Sequence, residues 1–355
     1  MSDRAPYHHI YVGTYTRGES RGIYLCRLDA GTGELTAPEP VGEAENPSFL
    51  ALDPAGRFLY AASEAADSAA VAFAVGEDGH LTRLNEQPSH GSYLCHLALH
   101  PSGQMLIGAN YGSGNVAVWP IGPAGRLGEA GQVIQHEGSS AHPKRQTGPH
   151  AHSVTLSPDG RFAYAADLGI DKVMIYRVDA EAGRLTPNDP PWLAVAPGSG
   201  PRHMAFHPTG RWAYVIHEIG NTVSALTWDA ETGALEEVQT AATLPAGFDG
   251  PSTTADVHVA RSGRFLYGSN RGHDSLAIYA IDPTRGTLTC RGHEPTGGRT
   301  PRSFALDPSG RFLVAANQDG DNLVVFAVDA ETGLLTPTGC AQPIPAPVCV
   351  RFLGP

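Results

Sequence analysis

A template of about fifty residues recurs six times, a half-template stands at each end, and Gly and Pro are abundant. Together these predict an all-β fold, a seven-bladed β-propeller with four-stranded blades, the first closed by the C-terminal strand. The repeats are DPAGRFLYAAS at 53, HPSGQMLIGAN at 100, SPDGRFAYAAD at 157, HPTGRWAYVIH at 207, ARSGRFLYGSN at 260 and DPSGRFLVAAN at 307. Their turn glycines, Gly56, Gly103, Gly160, Gly210, Gly263 and Gly310, are spaced 47, 57, 50, 53 and 47 residues apart. The chain has 42 Gly and 29 Pro in 355 residues but only 17% charged residues, which suits many short strands joined by tight turns.

Each repeat reads as strands A to D. Strand A is a short run such as Ser48 to Leu52, ending in the x-P-x-G turn, where Pro presets φ and Gly accepts a positive φ. Strand B follows at once, as in Arg57 to Ala62. Strand C alternates apolar residues, as in VAVWPI or VVFAV. A D-x-x-T-G-x-L-T hairpin (DAGTGELT, DAETGLLT and their relatives) leads to strand D. At the N-terminus HIYVGTYT fits strand B with no strand A before it, and at the C-terminus APVCVRFL fits strand A with nothing after it. The last strand is therefore expected to complete the first blade, closing the ring and removing free sheet edges. A single domain over 1–355 follows.

The net charge of −12 argues against sequence-independent nucleic-acid binding and against docking on an anionic membrane. A few arginines can still make a local positive site. Cys26, Cys95, Cys290, Cys340 and Cys349 form no CxxC pair and read as reduced thiols. MSDRAPYHHIYVG has no apolar leader core and no stretch approaches a membrane span, so a cytoplasmic monomer is the default.

In a propeller strand A lines the central channel, and the D–A and B–C connections share one face. The uniform DPxGR turns belong to the other, structural face. Two columns carry the variation. Seven and eight places after each turn glycine stand Ser63-Glu64, Asn110-Tyr111, Asp167-Leu168, His217-Glu218, Asn270-Arg271 and Asn317-Gln318, with Thr14-Tyr15 in the first blade. Eight places before it stand Ser48, Cys95, His152, Arg202, Ala255 and Arg302, followed one place later by His96, His203 and Asp256 in three repeats. Both columns point to one channel mouth. The longest interval puts about ten extra residues in the D–A connection GSSAHPKRQTGPHAH on this face, where Lys144 and Arg145 form either a lid or anion clamp or a plain solvated loop.

Plainer readings compete. His150-Ala151-His152 resembles a metal arm, but no further ligand follows at metal spacing. Glu218 and Arg202 can be read as a structural ion pair, Arg202 and Arg302 as ties between blades, and Asp256 with His258 as a satisfied hydrogen-bonded pair.

GPHAHSVTLSPDGRFAYAADLG, GPRHMAFHPTGRWAYVIHEIGNTVSAL and SNRGHDSLAIY resemble the signature segments of the seven-bladed propeller lactonases, over essentially the whole chain. That family includes the bacterial propeller type of 6-phosphogluconolactonase and the fungal carboxy-cis,cis-muconate lactonizing enzyme. The resemblance implies a shallow site without metal or organic cofactor. It implies His152, Arg202, Glu218 and Arg271 as catalytic residues, on the third, fourth and fifth of seven blades. Around them His150, His203, His96, Asn270, Arg302 and Asp256 are expected to meet the substrate, His96 and His203 as pocket wall.

Hydrolysis of a δ-lactone needs an activated water, an oxyanion stabiliser and a holder for the substrate's hydroxyls or anion. Glu218 or His152 is the expected base, best with a pKa near neutrality. Arginine suits the oxyanion and a phosphate or carboxylate. No GxSxG is present, which argues against a serine nucleophile. The expected substrate is 6-phosphoglucono-δ-lactone. The rivals are an unphosphorylated aldonolactone, muconate cycloisomerisation, a metal-dependent propeller hydrolase and a non-catalytic binding platform, which would show a large apolar patch.

Overall fold

The computed structural model describes residues 7–354; the leader reading of residues 1–6 lies outside them. Twenty-eight strands form seven four-stranded antiparallel sheets. Six blades are built from consecutive strands. Blade 1 joins Pro347–Phe352 to Tyr7–Thr14, Ile23–Asp29 and Glu39–Gly42. Its closing ladder runs antiparallel from Ile10↔Phe352 to Thr14↔Pro347.

The recurring R-F/W-x-Y of strand B has a specific use. In blade 4 the Tyr164 hydroxyl donates to the carbonyl of Gly233 in the C–D hairpin of blade 5, at 2.9 Å. Tyr214 with Gly286 (2.9 Å) and Tyr267 with Gly333 (2.8 Å) repeat the contact. The same hairpin glycine lies on the aromatic that precedes the tyrosine by two places. Gly233 has φ +75°, and a Cβ there would collide with the Phe162 ring. Each tyrosine bond contributes about 1 kcal/mol net. The template is therefore an inter-blade fastener on the structural face, which explains its uniformity.

Between blades the core is apolar. Phe162, Tyr164, Val173 and Ile175 of blade 4 meet Met204, Ala213, Val215 and Leu226 of blade 5, and similar clusters fill the other joints. Strands B are almost wholly buried, as in Phe162–Asp167 and Phe312–Asn317.

The innermost strands carry the feature that builds the site. Strand A pairs with strand B through a register shift near its start in each blade. The shift falls between Pro47 and Phe49, Leu94 and His96, Ala151 and Ser153, Pro201 and His203, and Pro301 and Ser303. The residues skipped are Ser48, Cys95, His152, Arg202 and Arg302. In blade 6 the shift between Thr254 and Val257 skips Ala255 and Asp256. A bulge leaves one residue outside the ladder and re-aims its side chain. One of the two columns predicted to face the mouth is thus a ring of bulge residues.

Candidate active site

His152 lies in strand Ala151–Leu156, Arg202 in Pro201–Phe206, Glu218 just after Trp212–His217, and Arg271 at the end of Phe265–Arg271. Counted with the closed blade first, these belong to blades 4, 5 and 6, not to the third to fifth.

The four converge on the Glu218 carboxylate. Oε2 accepts from Arg202 Nε and Arg271 Nη2, both at 2.9 Å, and His152 Nε2 is 3.7 Å away. Oε1 accepts from Arg145 Nη2 at 2.6 Å. Arg202 also donates through Nη1 to Ala255 O (2.6 Å), and Arg271 through Nη2 to Thr254 O (2.7 Å). His152, Arg202 and Glu218 are buried, Arg271 is half-buried, and Arg145 is 37% exposed.

Burial opposes ionisation of Glu218, but the guanidiniums of Arg271, Arg202 and Arg145 outweigh it and hold the carboxyl well below the usual carboxylate range. The expectation of a base tuned toward neutrality does not describe this side chain: guanidinium contacts drive its pKa the opposite way. Burial and Arg271 pull the Arg202 guanidinium down to about 10, so it stays charged at neutral pH. Burial, reinforced by Arg202, holds His152 well below the ordinary imidazole value, so its ring is neutral at pH 7. Its Nδ1 has only the Cys95 sulfur at 3.8 Å. Burial pushes the Cys95 thiol far up, so it is no thiolate nucleophile.

Of the six flanking residues, five line or back this mouth. Arg302 Nη2 stands 3.8 Å from Glu64 Oε2, its guanidinium lies 5.4 Å from the Tyr15 ring centre, and it makes no hydrogen bond to the described residues. His150 stacks on Tyr111 at 4.6 Å, while His152 meets the same ring edge-on at 5.4 Å. The two histidines thus flank an aromatic ring, and among the described residues no group of three or more His, Cys, Asp or Glu is placed to hold a metal.

His203 and Asp256 back Arg202. Asp256 Oδ1 accepts from His203 Nδ1 at 2.9 Å, which makes Nε2 the lone-pair nitrogen that receives Arg202 Nη1 at 3.1 Å. Asp256 Oδ2 takes the Ser303 hydroxyl at 3.1 Å, with His258 Nε2 at 3.2 Å. His96 packs on Phe49 (3.8 Å) and His203 (5.3 Å) as channel wall.

Asn270 is set apart. Fully buried, it donates to Thr243 O (2.8 Å) and Ser275 Oγ (3.3 Å). Asn110 and Asn317 make the same pair of bonds in blades 3 and 7. Its amide clasps the B–C turn to strand D, so the expected substrate contact is replaced by a structural one.

Tyr15, Glu64 and Tyr111 stood in the strand B column but were not singled out. Glu64 accepts the Tyr15 hydroxyl at 3.0 Å, and Tyr111 accepts from Arg145 at 3.0 Å. The signal was their shared column. Arg145 reaches the site from the extended connection, while the exposed Lys144 side chain makes no hydrogen bond or ion pair among the described residues. The mouth thus sets four guanidiniums (Arg145, Arg202, Arg271, Arg302) against the carboxylates of Glu64, Glu218 and, behind Arg202, Asp256, a surplus of one positive charge on an acidic protein. Such a mouth suits an anionic ligand or a developing oxyanion. The large exposed apolar side chains, among them Tyr7, Val133, Trp192, Val238 and Leu334, are scattered over blades 1, 3, 4, 5 and 7.

The family model described as "Lactonase, 7-bladed beta-propeller" matches residues 9–352. A Bacillus subtilis protein named 6-phosphogluconolactonase is 38% identical over 345 residues, 97% of each chain. A solved Pseudomonas aeruginosa structure, described as a periplasmic gluconolactonase, superposes with a TM-score of 0.94 at 36% identity, covering 98% of this chain and 99% of its own. A Bacteroides fragilis structure gives a TM-score of 0.93 at 38% identity over 99% of both chains.

Proposed function

Since the chain belongs to the seven-bladed β-propeller lactonase family, we propose that it hydrolyses the δ-lactone of a phosphorylated sugar acid, as a 6-phosphogluconolactonase, at the mouth where Glu218 gathers its guanidiniums. The observation that carries this reading is that cluster facing a neutral His152. It offers fixed positive charge where an oxyanion develops, beside an imidazole free to take a proton.

In the reaction, water attacks the lactone carbonyl while its proton passes to the imidazole of His152. The carbonyl oxygen becomes an oxyanion. The unengaged donors that can meet it are those of Arg302, whose fork makes no hydrogen bond to the described residues. The ester C–O bond then breaks, and the ring oxygen leaves with the proton returned by His152, giving the open acid. Glu218 takes no proton; its carboxylate anchors Arg202 and Arg271 so that they need not reorganise as charge develops. Arg202, held by His203 and Asp256 behind it, is the best-oriented of the guanidiniums.

Substrate specificity, a monomeric state and a cytoplasmic setting belong to this proposal. None of the five cysteines is paired, which suits a reducing compartment, and no helix is long and apolar enough to cross a membrane among the described residues. Lactone hydrolysis measured with and without the 6-phosphate, and with and without chelator, tests the reading. Rapid turnover of the phosphorylated lactone, unaffected by chelator, is expected. Equal rates on both lactones remove the phosphate; loss of activity in chelator removes the metal-free mechanism.

A further inference from the structure

We propose that Arg145 selects lactones bearing an anionic substituent, exchanging its ion pair with Glu218 for one with that substituent, a phosphate monoester or a carboxylate. The proposal rests on the lactonase reading above.

The three guanidiniums on Glu218 are not equivalent. Arg202 and Arg271 both bond Oε2, and each is tied a second time to a main-chain carbonyl. Their side chains are 2% and 14% exposed. Arg145 alone takes Oε1, is 37% exposed, and has as its other partner only the Tyr111 phenol. It can leave while Glu218 keeps two guanidiniums. An anion arriving at this mouth meets the negative charge of Glu218, and of the three guanidiniums on that carboxylate Arg145 is the most exposed and the least tied, able to move between the two.

The loop behind it is ordered, so only the side chain has to move. Gln146 is fully buried: its Oε1 accepts His142 N (2.8 Å) and its Nε2 donates to Leu168 O (2.9 Å). His142 Nδ1 accepts the backbone N–H groups of Lys144 (3.3 Å) and Arg145 (3.1 Å). Ser140 Oγ donates to Asp171 Oδ2 at 2.6 Å. The extra residues of the longest repeat interval thus form a built arm that presents one guanidinium to the mouth. The planar fork suits a phosphate or carboxylate better than an ammonium would.

The test compares wild type, Arg145→Gln, Arg145→Lys and Lys144→Gln. Each is assayed for kcat/KM on 6-phosphoglucono-δ-lactone and on glucono-δ-lactone, and for inorganic phosphate affinity by calorimetry. Losing a charge-assisted contact is worth about 10- to 100-fold. In Arg145→Gln the preference for the phosphorylated lactone falls by that factor and phosphate binds correspondingly more weakly. Arg145→Lys lies between, and Lys144→Gln stays within about 2-fold of wild type. Unchanged preference and phosphate affinity in Arg145→Gln overturn the proposal. So does an equal effect of Lys144→Gln, which would reduce it to bulk charge. If wild type hydrolyses neither lactone, the lactonase reading fails, and phosphate affinity alone decides whether Arg145 receives anions. Unfolding midpoints confirm that each variant is folded.

Discussion

Arg202 and Glu218 meet at 2.9 Å because one ladder pair holds both. Arg202 is the bulge residue next to Pro201, Glu218 follows His217, and Pro201 pairs with His217. The Glu218 N–H also donates to Gly200 O at 2.7 Å, so the two side chains leave a single clamped corner of blade 5. Replacing Glu218 by Gln leaves three guanidiniums sharing one uncharged acceptor. We expect kcat/KM to fall at least about 10²-fold. The thermal midpoint should fall by roughly 5 °C or more, since breaking a buried ion network costs about 3–5 kcal/mol. Steady-state kinetics with thermal unfolding checks this; a near wild-type rate would free Glu218 of any catalytic part.

His152 should dominate the acid side of the pH profile. Its folded pKa lies well below 6.5, so it is in the proton-accepting form through neutrality and is lost as base only on acidification. The acidic limb of kcat/KM is expected below pH 6.5 and should vanish in His152→Gln, with activity reduced about 10²- to 10⁴-fold. A limb that persists in the variant would assign it to another group.

His203 should act through Arg202. His203→Leu keeps an apolar wall but removes one of the two acceptors of Arg202 Nη1, leaving Ala255 O, and takes the Nδ1 donor from Asp256, which keeps His258 beside it. The expected signature is a fall in kcat of about 10-fold or more with KM little changed, because the guanidinium loses orientation for the transition state rather than substrate contact. A rise in KM alone would place His203 in direct contact with substrate.

Stability should fall on the acid side through two buried histidines. Burial depresses both His203 and His217 to about 4 from 6.5, so below pH 6.5 the unfolded chain binds protons that the folded chain refuses. Each contributes stability that is present above pH 6.5 and is lost as pH falls toward 4, on the order of 2–3 kcal/mol at pH 4.5. His217 occupies the position held by Asn110, Asn270 and Asn317 in other blades. His217→Asn should therefore fold and show a flatter loss of denaturation midpoint between pH 7 and 4.5. An unchanged slope would show that His217 is not a source of it.

The ring, its closure and the mouth were legible because each rests on a period. A turn every fifty residues, a half-blade at each end and two columns at constant offsets from the turn glycines survive without coordinates. The same columns misled at Asn270: a position facing the mouth in Arg271 is a turn clasp one residue earlier, and offset alone does not separate them. They held Tyr111 without a role, and Arg145 was legible only as one half of a lid or clamp on the long connection, because its partners Tyr111 and Glu218 lie 34 and 73 residues away from it.

What this chain's amino-acid order determined by itself was therefore local and repetitive: strands, turns, aromatic fasteners, and which residues stand near the channel. The tertiary structure alone decided how those residues are used. Side-chain pKa values and partners depend on distances of a few ångströms between blades, and these are set by ring closure and by the bulges that turn His152, Arg202 and Arg302 out of their ladders. Coulomb interaction and desolvation act over those distances and not along the chain, so Glu218 is an ionised anchor rather than a tuned base only once three blades and the long connection have met around it.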